Sequence, residues 1–243
     1  MSAPRSNGAA DAIGAAAAGE ASRAPLALGE PDGHGGMYVA VAGNIGAGKS
    51  SLTRILSQRY YLSPVYEAVD ENPYLEDFYR DMRRYAFHSQ IFFLATRLRQ
   101  HLREVNPGRR VIQDRTVYED AAIFARLLHE DGVMDARDHA SYRTLYEAIR
   151  AALRPPDLLI YLRATLPTLR RHIHQRGRAY EATIEDGYLQ RLGDLYERWI
   201  DDYDLSPVVV VPADDLDFVN HEPDLRRVLD LLERHGLTRP VVG

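Results

Sequence analysis

The fold is decided by the stretch Gly43-Asn44-Ile45-Gly46-Ala47-Gly48-Lys49-Ser50, which follows an apolar run and precedes an apolar-periodic segment beginning at Ser51. It fits the phosphate-binding loop pattern G-x-x-x-x-G-K-[ST] without a mismatch. The glycines allow backbone N–H groups to approach phosphate oxygens, and the following helix points its positive N-terminus at the same anion. A glycine-rich turn before a lysine is the alternative, but it leaves the order of strand, loop and helix unexplained. The stretch predicts a nucleoside-triphosphate site.

The composition limits the remaining possibilities. The chain has 243 residues, 45% of them hydrophobic, and a net charge of −5, so we expect one large core and no general basic field for a nucleic-acid duplex. It contains no cysteine, which excludes disulfides and thiolate zinc sites and suits a reducing cytoplasm. No apolar run approaches the roughly 20 residues that cross a bilayer. We therefore expect a cytoplasmic protein without a membrane or nucleic-acid partner.

Residues 1–36 differ in composition from the rest of the chain. They are dominated by Ala, Gly, Ser and Pro and have almost no large apolar side chains. A targeting peptide is the alternative, but the segment lacks an apolar stretch for secretion and carries acidic residues that transit peptides avoid. We predict a disordered tail over residues 1–36 and one domain over residues 37–243.

An acidic residue follows the first strand after the loop. The run Pro64–Val69 predicts a short strand, and Glu67 lies near its end. Ligands of open α/β sheets bind at the carboxyl ends of the strands, so this carboxylate can face the γ-phosphate position. The alternative is an acid on a solvated edge strand.

A long helix is predicted from Tyr85 to Glu104. Gln90 and Arg97 share one of its faces with Phe93 and Leu94 at helical spacing. Such polar groups on a buried stripe need partners. Gln90 can contact a nucleobase edge with both amide atoms, but spacing alone favours this reading no more than the capping of a neighbouring loop.

The strand predicted over residues 110–116 ends in Asp114-Arg115. A carboxylate at this end of a buried strand beside the loop suits a second Mg²⁺ contact, after that of the Ser50 hydroxyl. Arg115 is expected to pair with Glu67 or a phosphate. Asp120 lies in the first turn of the next helix, where acids are favoured in any case, so its position alone assigns it no function.

Four arginines lie within nine residues of the chain: Arg170, Arg171, Arg176 and Arg178. On a solvated face such a run has little meaning. Here it follows the predicted strand 157–162 and contains the flexible Arg-Gly-Arg segment, which favours an arginine-rich lid over a triphosphate. Further helices and the strand Val208–Val211 complete an α/β alternation.

These residues together resemble the deoxyribonucleoside kinase family over about residues 37–235, and most closely its bacterial deoxyadenosine and deoxyguanosine kinases. The resemblance implies a P-loop kinase fold with a five-stranded parallel sheet flanked by helices, usually as a homodimer. It also implies that the γ-phosphoryl group of ATP is transferred to the 5′-hydroxyl of a deoxynucleoside, with Mg²⁺ as cofactor. Deoxyadenosine is the expected substrate in nucleotide salvage.

The resemblance assigns each candidate a role. Glu67 matches the general base, and Arg115 and Lys49 complete the catalytic set. The residues implied to bind ATP and its phosphates are Gly43, Asn44, Ile45, Gly46, Ala47, Gly48, Lys49, Ser50, Ser51, Arg176 and Arg178. Those implied to bind the deoxynucleoside are Glu67, Tyr74, Gln90, Arg97, Arg115, Asp120 and Glu181. Ser50 and Asp114 are the implied metal ligands.

Within the deoxynucleoside set, Gln90 is implied to read the base, and Arg97 and Asp120 to form a charged pair beside it. Glu181 is implied to contact the sugar 3′-hydroxyl, and Tyr74 is a second candidate for that contact.

Three positions depart from the family pattern. Thr116 replaces the commoner serine, His172 stands where a further lid arginine is frequent, and the small Ser89 precedes Gln90. We expect Ser89 to widen the base pocket and so favour a purine. The alternatives are a thymidylate-type nucleoside monophosphate kinase, a non-catalytic nucleotide-binding subunit of the same fold, and a switch that hydrolyses GTP. Glu67 argues against the first, because it would repel a phosphorylated acceptor.

Overall fold

The computed structural model describes residues 36–66 and 71–239. The predicted disordered tail therefore lies outside the described residues, apart from Gly36. Glu67 also lies outside them.

Within the described residues, five parallel strands form one sheet in the order β2-β3-β1-β4-β5. The strands are β1 (Tyr38–Gly43), β2 (Ser63–Val65), β3 (Val111–Asp114), β4 (Leu158–Arg163) and β5 (Val208–Pro212). β1 lies at the centre, and its residues are fully buried, which explains its unbroken apolar sequence. The predicted P-loop kinase fold, with its five-stranded parallel sheet, is confirmed.

Helices flank the sheet. They are α1 (Lys49–Tyr60), α2 (Leu75–Arg80), α3 (Met82–Gln100), α4 (Val117–Glu119), α5 (Arg126–Glu130), α6 (Ala136–Arg150), α7 (Leu166–Arg176), α8 (Asp186–Asp201) and α9 (Glu222–Arg234). The start of α3 was predicted three residues too late. Its true start follows from Asp81, whose side chain accepts a hydrogen bond from the Arg84 backbone and caps the helix.

The helical segment after β3 is interrupted. A capping box between Thr116 and Glu119 begins α4, and a π-helical turn over Asp120–Ala125 joins α4 to α5. Such turns shift the side chains of a helix relative to regular spacing and are frequent at functional sites. This turn begins at Asp120, one of the predicted site residues.

The arginine-rich segment begins as α7 and then changes conformation. Gly177 ends the helix with φ of 70°, and a 3₁₀ turn follows over Ala179–Thr183. Arg176 and Arg178, which were predicted to belong to a lid, therefore lie on either side of a glycine in a left-handed conformation, which non-glycine residues adopt at a cost.

Candidate functional site

The phosphate-binding loop joins β1 to α1 in the predicted manner. Gly46 and Gly48 have φ of 83° and 99°. A Cβ atom at position 46 would also lie only 2.8 Å from the Leu169 carbonyl oxygen. Glycine is therefore required here both by the positive φ and by the lack of space. Lys49 donates from Nζ to the Asn44 carbonyl at 2.9 Å and thereby closes the loop. The loop is a preformed cradle at the start of α1.

Side chains from other elements hold this loop in place. The Asn44 amide donates to the Leu189 carbonyl of α8 at 2.8 Å, and its oxygen accepts from the Ile45 backbone at 2.7 Å. His172 of α7 lies with Nδ1 2.7 Å from the Gly46 carbonyl. The residue that departs from the family's arginine therefore contacts the phosphate loop directly.

The Ser50 hydroxyl and the Asp114 carboxylate, here called the oxygen pair, lie next to the phosphate loop. The Ser50 hydroxyl donates to Asp114 Oδ2 at 2.5 Å, and Asp114 Oδ1 is buried without a hydrogen-bond partner. A buried carboxylate oxygen in this state is costly and fits a hard cation. The described residues contain no cluster of three or more His, Cys, Asp or Glu side chains that could hold a metal. The pair suits a cation whose other ligands are water and phosphate, as is usual for Mg²⁺.

One cavity, here called the aromatic cavity, has a volume of about 370 Å³, within the range of small-molecule sites. Its lining residues are Ile45, Gly46, Lys49, Ser50, Tyr66, Leu75, Phe78, Tyr79, Gln90, Phe93, Asp114, Arg115, Asp120, Phe124, Arg176, Arg178, Tyr180, Glu181 and Tyr188. Ring faces and a few polar groups are typical of a site for a planar ligand.

A second cavity, here called the acidic cavity, lies against the same loop and has a volume of about 620 Å³. Its lining residues are Gly46, Gly48, Lys49, Ser50, Ser51, Arg171, His172, Gln175, Arg176, Asp214, Asp215, Leu216, Asp217, Phe218, Val219, Asn220 and Asp224. The two cavities share Gly46, Lys49, Ser50 and Arg176. They therefore meet where a phosphate would lie.

Gln90 and Asp120 are polar residues of the aromatic cavity, and Asp120 belongs to a buried ion pair. Arg97 Nε donates to Asp120 Oδ2 at 2.5 Å, and both side chains are 3% exposed. Asp120 lines the cavity, whereas Arg97 does not. Arg97 therefore lies behind Asp120 and orients its carboxylate.

Arg115 lies at the boundary between the aromatic cavity and the oxygen pair. Its φ of 65° is rare for a residue other than glycine and costs about 1 to 2 kcal/mol. The cost is offset because its backbone N–H donates to the Val41 carbonyl at 3.0 Å and its own carbonyl accepts from Arg97. The guanidinium lies 4.3 Å from the centre of the Phe124 ring. This local strain at a cavity wall points to a functional constraint.

The lid residues form a compact charged group. Glu181, which is almost fully buried, accepts from Arg176 Nε at 2.9 Å and lies 3.6 Å from Arg178 Nη1. Arg170 points elsewhere and donates to Asp186 at 2.5 Å, while Arg171 lines the acidic cavity. Arg176, Arg178 and Glu181 all line the aromatic cavity.

Two residues that were expected to shape this cavity do not line it. Tyr74 is not part of its wall, because α2 begins one residue later and the Tyr74 ring packs against Tyr85 and His88. Ser89 does not widen the cavity either, since it is fully buried and accepts a hydrogen bond from the Asn72 side chain at 3.0 Å.

Sequence analysis did not identify Tyr79 as a residue of the cavity wall. Tyr79 lines the cavity and stacks on Tyr180 with ring centres 5.7 Å apart. The aromatic-rich composition of α2 was the only sequence signal for it.

The predicted base Glu67 lies outside the described residues, but its chain neighbours are described. Val65 pairs with Gln113 in the sheet, one residue before Asp114. Tyr66, the residue directly before Glu67, lines the aromatic cavity.

The described helices include none that is long and apolar enough to cross a membrane.

The fold, the cradle and two cavities that meet at it define a phosphate-loop phosphotransferase. Comparison with known proteins makes this class specific. The profile of the deoxynucleoside kinase family matches residues 39–235. The chain belongs to this family and is a kinase that phosphorylates deoxynucleosides.

Individual relatives agree with the assignment. The chain is 38% identical over 196 residues to a deoxyadenosine/deoxycytidine kinase of Bacillus subtilis, covering 79% of this chain and 89% of that protein. It is also 38% identical over 203 residues to a deoxyguanosine kinase of Lactobacillus acidophilus, covering 79% and 87%. The structure of deoxyadenosine kinase from M. mycoides with bound dATP superposes with a TM-score of 0.72 at 30% identity, over 81% of this chain and all of that one.

Proposed function

We propose that this enzyme transfers the γ-phosphoryl group of ATP to the 5′-hydroxyl of a deoxynucleoside, with deoxyadenosine preferred. One observation carries the proposal: the aromatic and acidic cavities have Lys49, Ser50 and Arg176 in common. A deoxynucleoside in the aromatic cavity and ATP in the acidic cavity would bring the 5′-hydroxyl and the γ-phosphate together at these three residues. Phosphoryl transfer depends mainly on such positioning and on charge stabilisation.

On the donor side, the loop backbone and Lys49 bind the phosphates. Ser50 and Asp114 would hold Mg²⁺, which fits the unpartnered Asp114 oxygen and supplies positive charge to the phosphate oxygens when bound. The remaining coordination positions belong to water and ATP.

On the acceptor side, Gln90 offers a donor and an acceptor side by side and reads the edge of the base. Asp120 contacts the same end of the base and is held in place by Arg97. Phe93 and the other rings of the aromatic cavity sandwich the base between apolar surfaces.

Glu67 takes the proton of the 5′-hydroxyl as the attack proceeds. This role is supported by the position of Tyr66 in the cavity wall and by the register of β2, whose last residue, Val65, pairs with Gln113, one residue before Asp114. Arg115 lies in the same wall and stabilises the negative charge that develops at the transferred group.

The lid couples the sugar to the phosphates. Glu181 lines the aromatic cavity and binds Arg176 at 2.7 Å, so a sugar hydroxyl that contacts this carboxylate orders an arginine that also faces the acidic cavity. Tyr79, beside Tyr180, replaces Tyr74 as the aromatic partner of the sugar.

The choice of deoxyadenosine depends on Gln90 and on the relatives. An amide fits adenine and cytosine equally, and the relative from Bacillus subtilis is named for both deoxynucleosides. We favour the purine because the named relatives include deoxyadenosine and deoxyguanosine kinases. A homodimer acting in nucleotide salvage in the cytoplasm remains a prediction from the family resemblance.

The decisive assay compares the four deoxynucleosides and their monophosphates as acceptors of phosphate from ATP. We expect deoxyadenosine to have the highest kcat/KM and the monophosphates to be inactive. Turnover of thymidylate above that of every deoxynucleoside would instead support a monophosphate kinase.

The role of the base is tested by Glu67→Gln, which keeps the shape of the side chain and removes the proton acceptor. We expect turnover to fall about 10² to 10⁴-fold while the affinity for ATP stays constant. A variant with near-normal turnover would rule out Glu67 as the base.

A further inference from the structure

A buried acid next to the site has no role in the function described above. Glu119 directly precedes Asp120, is fully buried and does not line either cavity. A buried carboxylate needs compensation, and here it has three hydrogen bonds. Its Oε2 accepts from the Thr116 backbone at 2.8 Å and from the Thr116 hydroxyl at 3.2 Å. Its Oε1 accepts from the hydroxyl of Tyr196 at 2.8 Å.

The Tyr196 hydroxyl extends this network to the cavity wall. It accepts a hydrogen bond from Arg115 Nη1 at 3.0 Å and donates its own proton to Glu119. Burial raises the pKa of Tyr196 well above its usual value, so the phenol keeps its proton at every working pH. A continuous chain of hydrogen bonds therefore runs from the Arg115 guanidinium through Tyr196 to the Glu119 carboxylate.

This chain fixes the direction of the Arg115 side chain. Its backbone is already held in the left-handed conformation by the contact with Val41. One face of the guanidinium lies on the Phe124 ring, and Nη1 is directed at Tyr196. Because these contacts fix one face and one edge of the planar guanidinium, the directions of its remaining N–H groups are fixed as well.

We propose that Tyr196 and Glu119 are positioning residues that orient Arg115 for phosphoryl transfer. Tyr196 supplies the contact, and Glu119 fixes the direction of the Tyr196 hydroxyl and balances the charge of Arg115. The proposal rests on the catalytic role proposed for Arg115. A guanidinium that stabilises a transition state must be oriented before the reaction, and a loss of orientation lowers turnover without weakening ground-state binding.

The test is Tyr196→Phe, which removes the hydroxyl and keeps the ring. We expect kcat to fall about tenfold to a hundredfold, while KM for ATP and for the deoxynucleoside changes less than about twofold. The matched control is Tyr161→Phe. The Tyr161 ring stacks on Tyr196 with ring centres 5.8 Å apart, and its hydroxyl donates to Glu197 at 2.9 Å in a partly buried hydrogen bond. The control should cost similar stability and leave kcat unchanged.

A structural role is separated from a positioning role by repeating Tyr196→Phe in an Arg115→Lys background. We expect Arg115→Lys alone to lower kcat, and Tyr196→Phe to have no further effect on kcat in that background. Equal kcat losses in both backgrounds, or equal kcat for Tyr196→Phe and Tyr161→Phe, would overturn the positioning role alone. A normal kcat for Arg115→Lys would overturn the role of Arg115 and the positioning role with it.

Discussion

The aromatic cavity and the acidic cavity share part of one phosphate loop, yet they are built differently. Acids that line the aromatic cavity are nearly fully buried and paired with arginines, as Asp120 is with Arg97 and Glu181 with Arg176. In the acidic cavity, by contrast, Asp217 is exposed and accepts hydrogen bonds from the backbones of Val219 and Asn220. The aromatic cavity is thus preorganised by buried ion pairs, and the acidic cavity in part by a local turn.

This difference has a physical consequence for specificity. A buried polar group rejects a ligand that leaves it unpaired, whereas an exposed group finds water instead. We therefore expect the aromatic cavity to discriminate among acceptors and the acidic cavity to tolerate changes in the donor base.

The largest effect is expected where the cavities meet. Lys49→Ala should lower kcat about 10³-fold, because the ammonium is the charge closest to the phosphates in both cavities. Single-turnover measurements check the chemical step. Arg171→Ala is the control, since Arg171 lines the acidic cavity alone and should change kcat less than about tenfold. Similar losses of kcat in Lys49→Ala and Arg171→Ala would mean that the residues common to both cavities have no special role.

A smaller but more selective effect is expected in the aromatic cavity. Arg97→Ala leaves the Asp120 carboxylate buried and deprived of its ion pair, which costs about 3 to 5 kcal/mol of stability. The kcat/KM for every deoxynucleoside should fall, while KM for ATP stays constant. Urea unfolding and steady-state kinetics measure the two effects.

The double variant Arg97→Met with Asp120→Leu sharpens this prediction. We expect that removing both charges restores most of the free energy of unfolding but not the kcat/KM for deoxynucleosides. Asp217→Ala, on the donor side, should show the opposite selectivity and raise only KM for ATP. If Arg97→Ala raised KM for ATP instead, the separation of the two cavities would be wrong.

A third effect, limited to acidic pH, is expected at His101, a buried residue that lines neither cavity. Burial lowers the pKa of His101 to about 4, from a usual value of 6.5. Between these values the unfolded chain binds the proton and the folded protein does not, so the free energy of unfolding falls as pH falls through this window. The loss approaches about 3 kcal/mol at pH 4.

Denaturant melts of the parent and of His101→Gln, taken between pH 7 and pH 4.5, test this expectation. The variant cannot take up the proton and should lose less stability over that interval. Parallel curves would show that His101 does not account for the acid sensitivity.

The smallest effect is expected for the tail. A chain that starts at Gly35 should have the Tm and kcat of the full chain, because a segment with so few large apolar side chains contributes no core. Thermal melts and the standard assay decide this. A large drop in either value would mean that the tail docks on the domain.

Much of the fold was predictable because its signals are local. The loop from Gly43 to Ser50 is one continuous stretch, and the buried strands are recognisable from their apolar runs. Asp114, which ends β3, and Arg115, which follows it, were assigned correctly to the carboxyl edge of the sheet for the same reason, since only the order of elements was needed.

The errors concern contacts that no local pattern encodes. Tyr74 and Tyr79 are both aromatic residues near one short helix, and the start of α2 decides which of them faces the cavity. Ser89 adjoins Gln90 in sequence, but neighbouring helical residues point in different directions, and only Gln90 reaches the cavity. The hydrogen bond between Tyr196 and Glu119 joins residues 77 positions apart, and no local sequence pattern predicts it.

The arginine common to both cavities makes the two ligands thermodynamically dependent on each other. Arg176 is held by Glu181 in the aromatic cavity and also faces the acidic cavity. A deoxynucleoside that changes the interaction of Arg176 with ATP changes the affinity for ATP by some factor. By thermodynamic linkage, ATP must change the affinity for the deoxynucleoside by the same factor. One coupling free energy, measured in either direction by calorimetry with a non-hydrolysable ATP analogue, describes both halves of the site.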